Sequence, residues 1–233
     1  MLGSIYVLIA LGYTMVYGIL RIINFAHGDI LMVGALTTLS GMHALNAHFP
    51  TLPPLAQLGL ALLLAMTVCA LLAMAVERFA YRRLRNAPRL APLISGIGVS
   101  VLLQTVAMIV WSRNPLMFPQ ILPMDPIAVT HGSAAHPPAL ITVTGIVTVA
   151  LALTVMLGLW LLVEYTRLGR GMRAVAENPR IATLMGVNPN AIIALTFAIG
   201  GVFAALAGVM MASNYGSPAF TFCFLPGIKA FTA

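Results

Sequence analysis

Apolar runs near residues 2–20, 30–49, 55–76, 93–111, 139–163 and 190–212 alternate with polar or proline-rich intervals along the whole chain. Crossing the hydrocarbon core of a bilayer takes roughly 20 residues of helix, and all but the second run meet that length. The second gives only Ile30 to Met42 before His43, Asn46 and His48, so a broken or partial helix is expected there. Ahead of it, Arg21 to Gly28 interrupts the helical pattern. Asn24 is placed to end one helix, Gly28 to permit a turn and Asp29 to cap the next helix from Ile30. Asn24, His27 and Asp29 then lie at the membrane boundary or inside it, where polar groups are costly and often functional. Capping of a helix break accounts for the same residues without any contact to a solute.

Small and polar residues mark particular faces. Gly3, Gly12 and Gly18 with Tyr6, Tyr13 and Tyr17 suit a first helix packed among others. Gly96, Ser100 and Gln104 recur at every fourth position on one helix face, which fits helix–helix contact first and the wall of a translocation path second. Thr144, Thr148 and Ala152 line one face of the next span. The row Gly200, Ala204, Gly208, Ala212, flanked by Gly201 and Ala205, is built for close packing, either within the chain or against a partner. Between spans, Pro115, Pro119, Pro123, Pro126, Pro137 and Pro138 exclude regular helix from residues 113–138. His131 and His136 in that loop, and Cys69 and Cys223, have no metal or redox spacing.

The longest polar interval, Glu164 to Asn190, holds signals for a short helix. Asn178 is a good N-cap, Pro179 suits the first turn, and Gly186 can take the left-handed conformation that ends it. Asn188 and Pro189 repeat the cap-and-start pair ahead of the last apolar run. The helix between them presents Ile181, Leu184 and Met185 as an apolar strip.

Composition places this pattern in a membrane. Of 233 residues, 61% are hydrophobic and 7% charged, and the mean hydropathy is +1.00, far more apolar surface than a soluble core of this size needs. The net charge of +7 does not imply nucleic acid, because the basic residues flank apolar spans. Arg78, Arg82, Arg83, Arg85 and Arg89 would together cost ~15 kcal/mol at the bilayer centre, so residues 77–92 form a loop. Arg167, Arg170, Arg173 and Arg180 lie two spans later, on the same side, and Arg21 joins them. By the positive-inside rule that side is cytoplasmic and residues 113–138 are external.

Two separated stretches resemble the branched-chain amino acid permease family of ABC importers. The first is Ile23-Asn24-Phe25-Ala26-His27-Gly28-Asp29. The second is Thr166-Arg167-Leu168-Gly169-Arg170 followed by Gly171, Arg173, Ala174, Ala176, Glu177, Asn178, Ala182 and Gly186. The resemblance implies an all-α, polytopic transmembrane bundle, a single permease domain over residues 1–233, in a bacterial inner (plasma) membrane. It also implies a coupling loop at 164–189 whose helix docks in a groove of an ATP-binding subunit through Arg173, Glu177, Asn178, Ile181, Leu184, Met185 and Gly186. The further partners implied are a second permease subunit, homologous or identical, a periplasmic solute-binding protein and membrane lipid. Asn24, His27, Gly28, Asp29, Ser100 and Gln104 form the helix break or translocation path. The family's last spans are absent from these residues, so the chain is expected to be incomplete at its C-terminus.

The chain has no G-x-x-x-x-G-K-[ST] loop, no H-E-x-x-H pair and few acids. No cofactor, no metal and no catalytic residue is therefore expected, and ATP hydrolysis falls to a partner chain. The expected solute is a branched-chain or related small amino acid. The alternative is a channel or secondary transporter for a small polar solute such as urea or an amide, which explains the helix break but not the structured inner loop.

Overall fold

The computed structural model describes residues 2–22, 24–85, 87–88, 90–121, 126–128, 140–219, 226–227 and 229–230. The expectations for Ile23, Arg89, Pro123, His131, His136, Pro137, Pro138 and Cys223 lie outside the described residues. The chain is a helical bundle, with helices α1 (Leu2–Leu20), α2 (His27–His48), α3 (Pro54–Val76), α4 (Leu90–Val110), α5 (Val143–Tyr165), α6 (Arg167–Glu177), α7 (Pro179–Leu184) and α8 (Pro189–Tyr215). A π-helical turn, Glu77–Tyr81, and a 3-10 turn, Arg82–Leu84, continue α3. Two three-residue strands, β1 (Pro126–Ala128) and β2 (Leu140–Thr142), pair antiparallel in the loop before α5. Among the described residues, α1 to α5 and α8 are long and apolar enough to cross a membrane.

The centre of the bundle is α8, the most buried of these spans. Its small-residue row packs inside the chain. A Cβ on Gly201 would stand 2.8 Å from the Cys69 carbonyl carbon, and one on Gly34 would stand 2.7 Å from the Ala205 Cα. Gly208 lies directly against the Leu31 carbonyl, and Gly200 lies against Gly12 and Val16. Thus α1, α2 and α3 each meet α8 backbone to backbone, a fit that only glycine and alanine allow. Cys69 is a buried packing residue whose thiol faces the Ile30 carbonyl oxygen at 3.4 Å. On α5, Thr144, Thr148 and Ala152 are buried, and Asn214 of α8 donates to the Thr148 hydroxyl at 3.3 Å. The outer faces of α4 and α5 expose Ile94, Val101, Ile109, Leu153, Leu157 and other large apolar side chains.

Of the three glycines in α1, only Gly12 meets a neighbour. Gly3 and Gly18 face open space, so the helix is packed on one side only. It ends at Leu20 with Arg21 in the left-handed region (φ 53), a place usually taken by glycine. The break then falls at residues 21–26, ahead of α2. His27 sits beside Gly12 and Gly200, near the middle of α1 and α8, and Phe25 is close to Gly96. Higher up, Trp111 at the end of α4 donates to Ser40 at 2.7 Å. Helix α2 as a whole, His27–His48, is 22 residues long and apolar enough to cross a membrane, longer than the apolar run that suggested a partial helix, and most of its end from His43 to His48 is exposed. Two local expectations are corrected. Helix α2 begins at His27, so Asp29 stands inside its first turn and caps nothing, and Gly28 has ordinary helical φ, so no conformational freedom is required of it.

Side-by-side contacts agree with the arginine pattern. Arg85 donates to Asn190 at 2.8 Å, joining the loop after α3 to the start of α8 at one end. At the other end, Leu116 and Phe118 donate backbone N–H groups to Pro218 and Gly216. With the arginine-rich end cytoplasmic, an impermeant thiol reagent applied outside should label Arg83→Cys weakly and Gln120→Cys strongly, both positions being exposed. The reverse pattern would invert the orientation.

Candidate functional site

Two groups of residues stand out, and the first is the polar loop. Thr166 caps α6 by accepting from the Gly169 N–H at 3.0 Å, and α6 lies against the end of α5 so closely that Gly169 abuts the Val163 carbonyl. Arg173 donates to the Val163 carbonyl oxygen at 2.6 Å and to the Glu164 carboxylate at 3.0 Å. Arg173 and Glu177 thus lie in a helix of their own, α6, just ahead of α7. Arg173 clamps that helix to α5. Met172 and Val175 turn inward and Glu177 is exposed.

Asn178 ends α6 and starts α7. Its side-chain oxygen accepts from the N–H groups of Arg180 and Ile181 at 2.9 and 3.3 Å. Pro179 occupies the first position, and Gly186 closes the turn with φ 80. Asn188 caps α8 in the same way. With both ends set, α7 turns only Ala182 inward, and Ile181, Leu184 and Met185 are 57%, 87% and 79% exposed. A cavity of about 530 Å³ beside it is lined by Arg167, Arg170, Gly171, Met185, Asn188 and Ile192.

The second group surrounds the break. Asn24, His27, Asp29 and Ser100 are all buried. Gln104 donates to one Asp29 carboxylate oxygen at 2.9 Å and to the Ser100 hydroxyl at 3.3 Å. Asn24 accepts from the Tyr81 hydroxyl at 3.0 Å and from the Ala26 N–H at 3.2 Å. His27 bonds the Ile9 carbonyl, and its ring meets Tyr13 edge-on at 4.6 Å. Tyr13 in turn accepts from the Gly28 N–H, so a side chain on α1 caps α2. Gly28 packs against Gly227, where a Cβ would stand 3.1 Å from the Gly28 Cα. Two atoms, the His27 Nε2 and the Asp29 Oδ2, are buried without a hydrogen-bond partner among the described residues. The face of Gly96, Ser100 and Gln104 is therefore what holds the 24–29 segment in place, and it leaves that segment with unused polar capacity.

Sequence reasoning missed the residues that tie these groups together. Glu77 is fully buried and accepts from Arg82 at 3.0 Å and from Arg85. Burial pushes the Arg85 guanidinium down from its ordinary pKa, and the Glu77 carboxylate opposes that shift.

The family described as "Branched-chain amino acid transport system / permease component" matches residues 1–233. The chain belongs to this permease family. The high-affinity branched-chain amino acid transport system permease protein BraD of Pseudomonas aeruginosa is 40% identical over 231 residues, covering 99% of this chain and 74% of BraD. The corresponding LivH proteins of Salmonella typhimurium and Escherichia coli K12 are 39% and 38% identical over 233 residues, again 74% of their length. A shorter match, 38% over 66 residues, links the chain to the galactofuranose transporter permease protein YtfT of Escherichia coli. No solved structure matches. As a family member with these apolar helices, the chain is a multi-pass membrane permease.

Proposed function

We propose that this chain is the membrane-spanning subunit of an ABC importer for branched-chain or related small amino acids. A periplasmic binding protein delivers the solute, a second permease subunit completes the path, and a separate ATP-hydrolysing subunit drives it. The cell's inner membrane is the setting. The observation that carries this reading is the α7 strip: a helix fixed at both ends by Asn178 and Gly186, yet exposing Ile181, Leu184 and Met185 at the polar end of the bundle. Such a strip is wasted within the chain and fits a groove on a partner. Its rigid mounting supports a coupling role, because movement imposed on α7 passes to α6 through Asn178 and to α8 through Asn188.

On this reading Asn24, His27, Gly28, Asp29, Ser100 and Gln104 border the path. The unpartnered Asp29 oxygen meets the polar end of an amino acid that the apolar walls cannot solvate, while the His27 Nε2 is turned against Gly12. Chemistry on the solute plays no part. The test is uptake into proteoliposomes holding the permease, its ATPase and its binding protein. Labelled leucine should accumulate only with internal ATP and external binding protein. Downhill entry of urea without ATP would instead establish the channel or carrier reading.

A further inference from the structure

The turn that follows α3 touches both groups of residues just described, through an exposed contact at one end and a buried one at the other. At the polar end of the bundle, Arg85 donates to the Asn190 side chain at 2.8 Å. Asn190 is the second residue of α8, four beyond the Gly186 that closes α7. Arg85 and Arg82 share the Glu77 carboxylate, which has no exposed surface. Glu77 opens the π-helical turn and Tyr81 closes it. Tyr81 is 1% exposed, held between the Phe197 ring at 5.6 Å and Gly96, where a Cβ would stand 2.5 Å from its hydroxyl oxygen. From that slot it bonds Asn24, the residue whose side chain holds the break.

We infer that the turn Glu77–Tyr81, clasped by Arg82 and Arg85, is a mechanical link that carries the position of the coupling loop to the helix break. The inference rests on the importer reading above. Its residues act on solute only through Asn24 and are positioning residues. The π register is what makes the clasp. Residues five apart on an α-helix lie roughly 140° apart, so Glu77 and Arg82 would not meet there. The wider turn brings them onto one side. A π-helical turn is rare and is frequently found at functional sites. The proposed link switches between this register and the α register of the same turn, two arrangements of the kind that carry coupling between sites. In the α register Arg82 leaves Glu77 and Tyr81 turns off Asn24. A pull on Asn190 is thereby converted into release of the 24–26 segment.

The test uses the whole transporter in proteoliposomes, with permease, ATPase and binding protein. Arg85→Gln, Asn190→Ala and Tyr81→Phe are compared with wild type for ATPase subunit retained, binding-protein-stimulated hydrolysis, and leucine moved per ATP. Each variant should keep its partner and its hydrolysis while leucine per ATP falls about ten-fold. The double variant Tyr81→Phe/Asn190→Ala should fall no further than the worse single, although the two residues do not touch. An unchanged leucine-to-ATP ratio overturns the link. So does a double variant whose losses multiply, since that marks two independent effects. Loss of the ATPase subunit from the mild Tyr81→Phe variant would reduce the turn to a scaffold and overturn it as well. Failure of wild-type vesicles to take up leucine would instead overturn the importer reading, and the link with it.

Discussion

Replacing Leu184 by aspartate is expected to strip the ATP-hydrolysing subunit from the purified complex and to bring uptake to background. Leu184 is the most exposed residue of the α7 strip, with 87% of its surface free, while Ala182 on the opposite side is buried. Six residues are too few for a helix to stand alone in water. Here Asn178, Pro179 and Gly186 hold it in shape, so the substitution leaves the fold of the chain intact. In a docked groove the new carboxylate would be buried without a partner, at a cost of about 2–5 kcal/mol. Near the centre of a small interface, that loss is enough to separate the subunits. If α7 rests on lipid headgroups, the carboxylate meets water and the complex survives. Co-purification of the ATPase subunit at wild-type yield would remove the coupling role from α7.

Gly208→Val is expected to be strongly destabilising, by about 3 kcal/mol. A Cβ at this position overlaps the Leu31 carbonyl oxygen, with the Leu31 carbon and the Ala35 nitrogen both 3.2 Å away. These are backbone atoms of α2, which cannot rotate aside as a side chain tip can. The helices must separate, and the contacts of α8 with α1 and α3 open with them. Gly98→Ala on α4 is the control, since nothing lies within 4 Å of a Cβ there and alanine is the better helix former. Thermal unfolding in detergent should place the first variant far below wild type and the second at or above it. Equal midpoints for the two would mean that the α2–α8 contact is not the one on which the bundle depends.

The spans were legible because lipid leaves few choices. An apolar run of sufficient length must be helical, and arginines must stay out of it. The caps of α7 and α8 were legible because asparagine before proline has one strong use at a helix start. Helix α6 was hidden by its own composition. Arg167, Arg170 and Arg173 with Gly169 and Gly171 read as loop, yet those glycines are what let it lie against α5 and Ile192. The Glu77 clasp was hidden for a different reason. A five-residue spacing has no meaning on an α-helix, so its arginines read only as markers of topology, and one irregular turn changed what they touch. Likewise Gly28 invited a turn that Arg21 supplies instead, because the break lies wholly ahead of α2, which begins at His27, and the strain is taken at its start.

The burial of α8 also bears on how such a chain is made. Five spans leave the ribosome before residues 189–215 do, and three of them, α1, α2 and α3, pack closely against the helix that has yet to emerge. Until then Gly12, Gly34, Leu31 and Cys69 lack the helix face they pack against. The last of these helices to be synthesised is therefore the one that assembles the others, and the arrangement of the nascent protein stays provisional until it arrives.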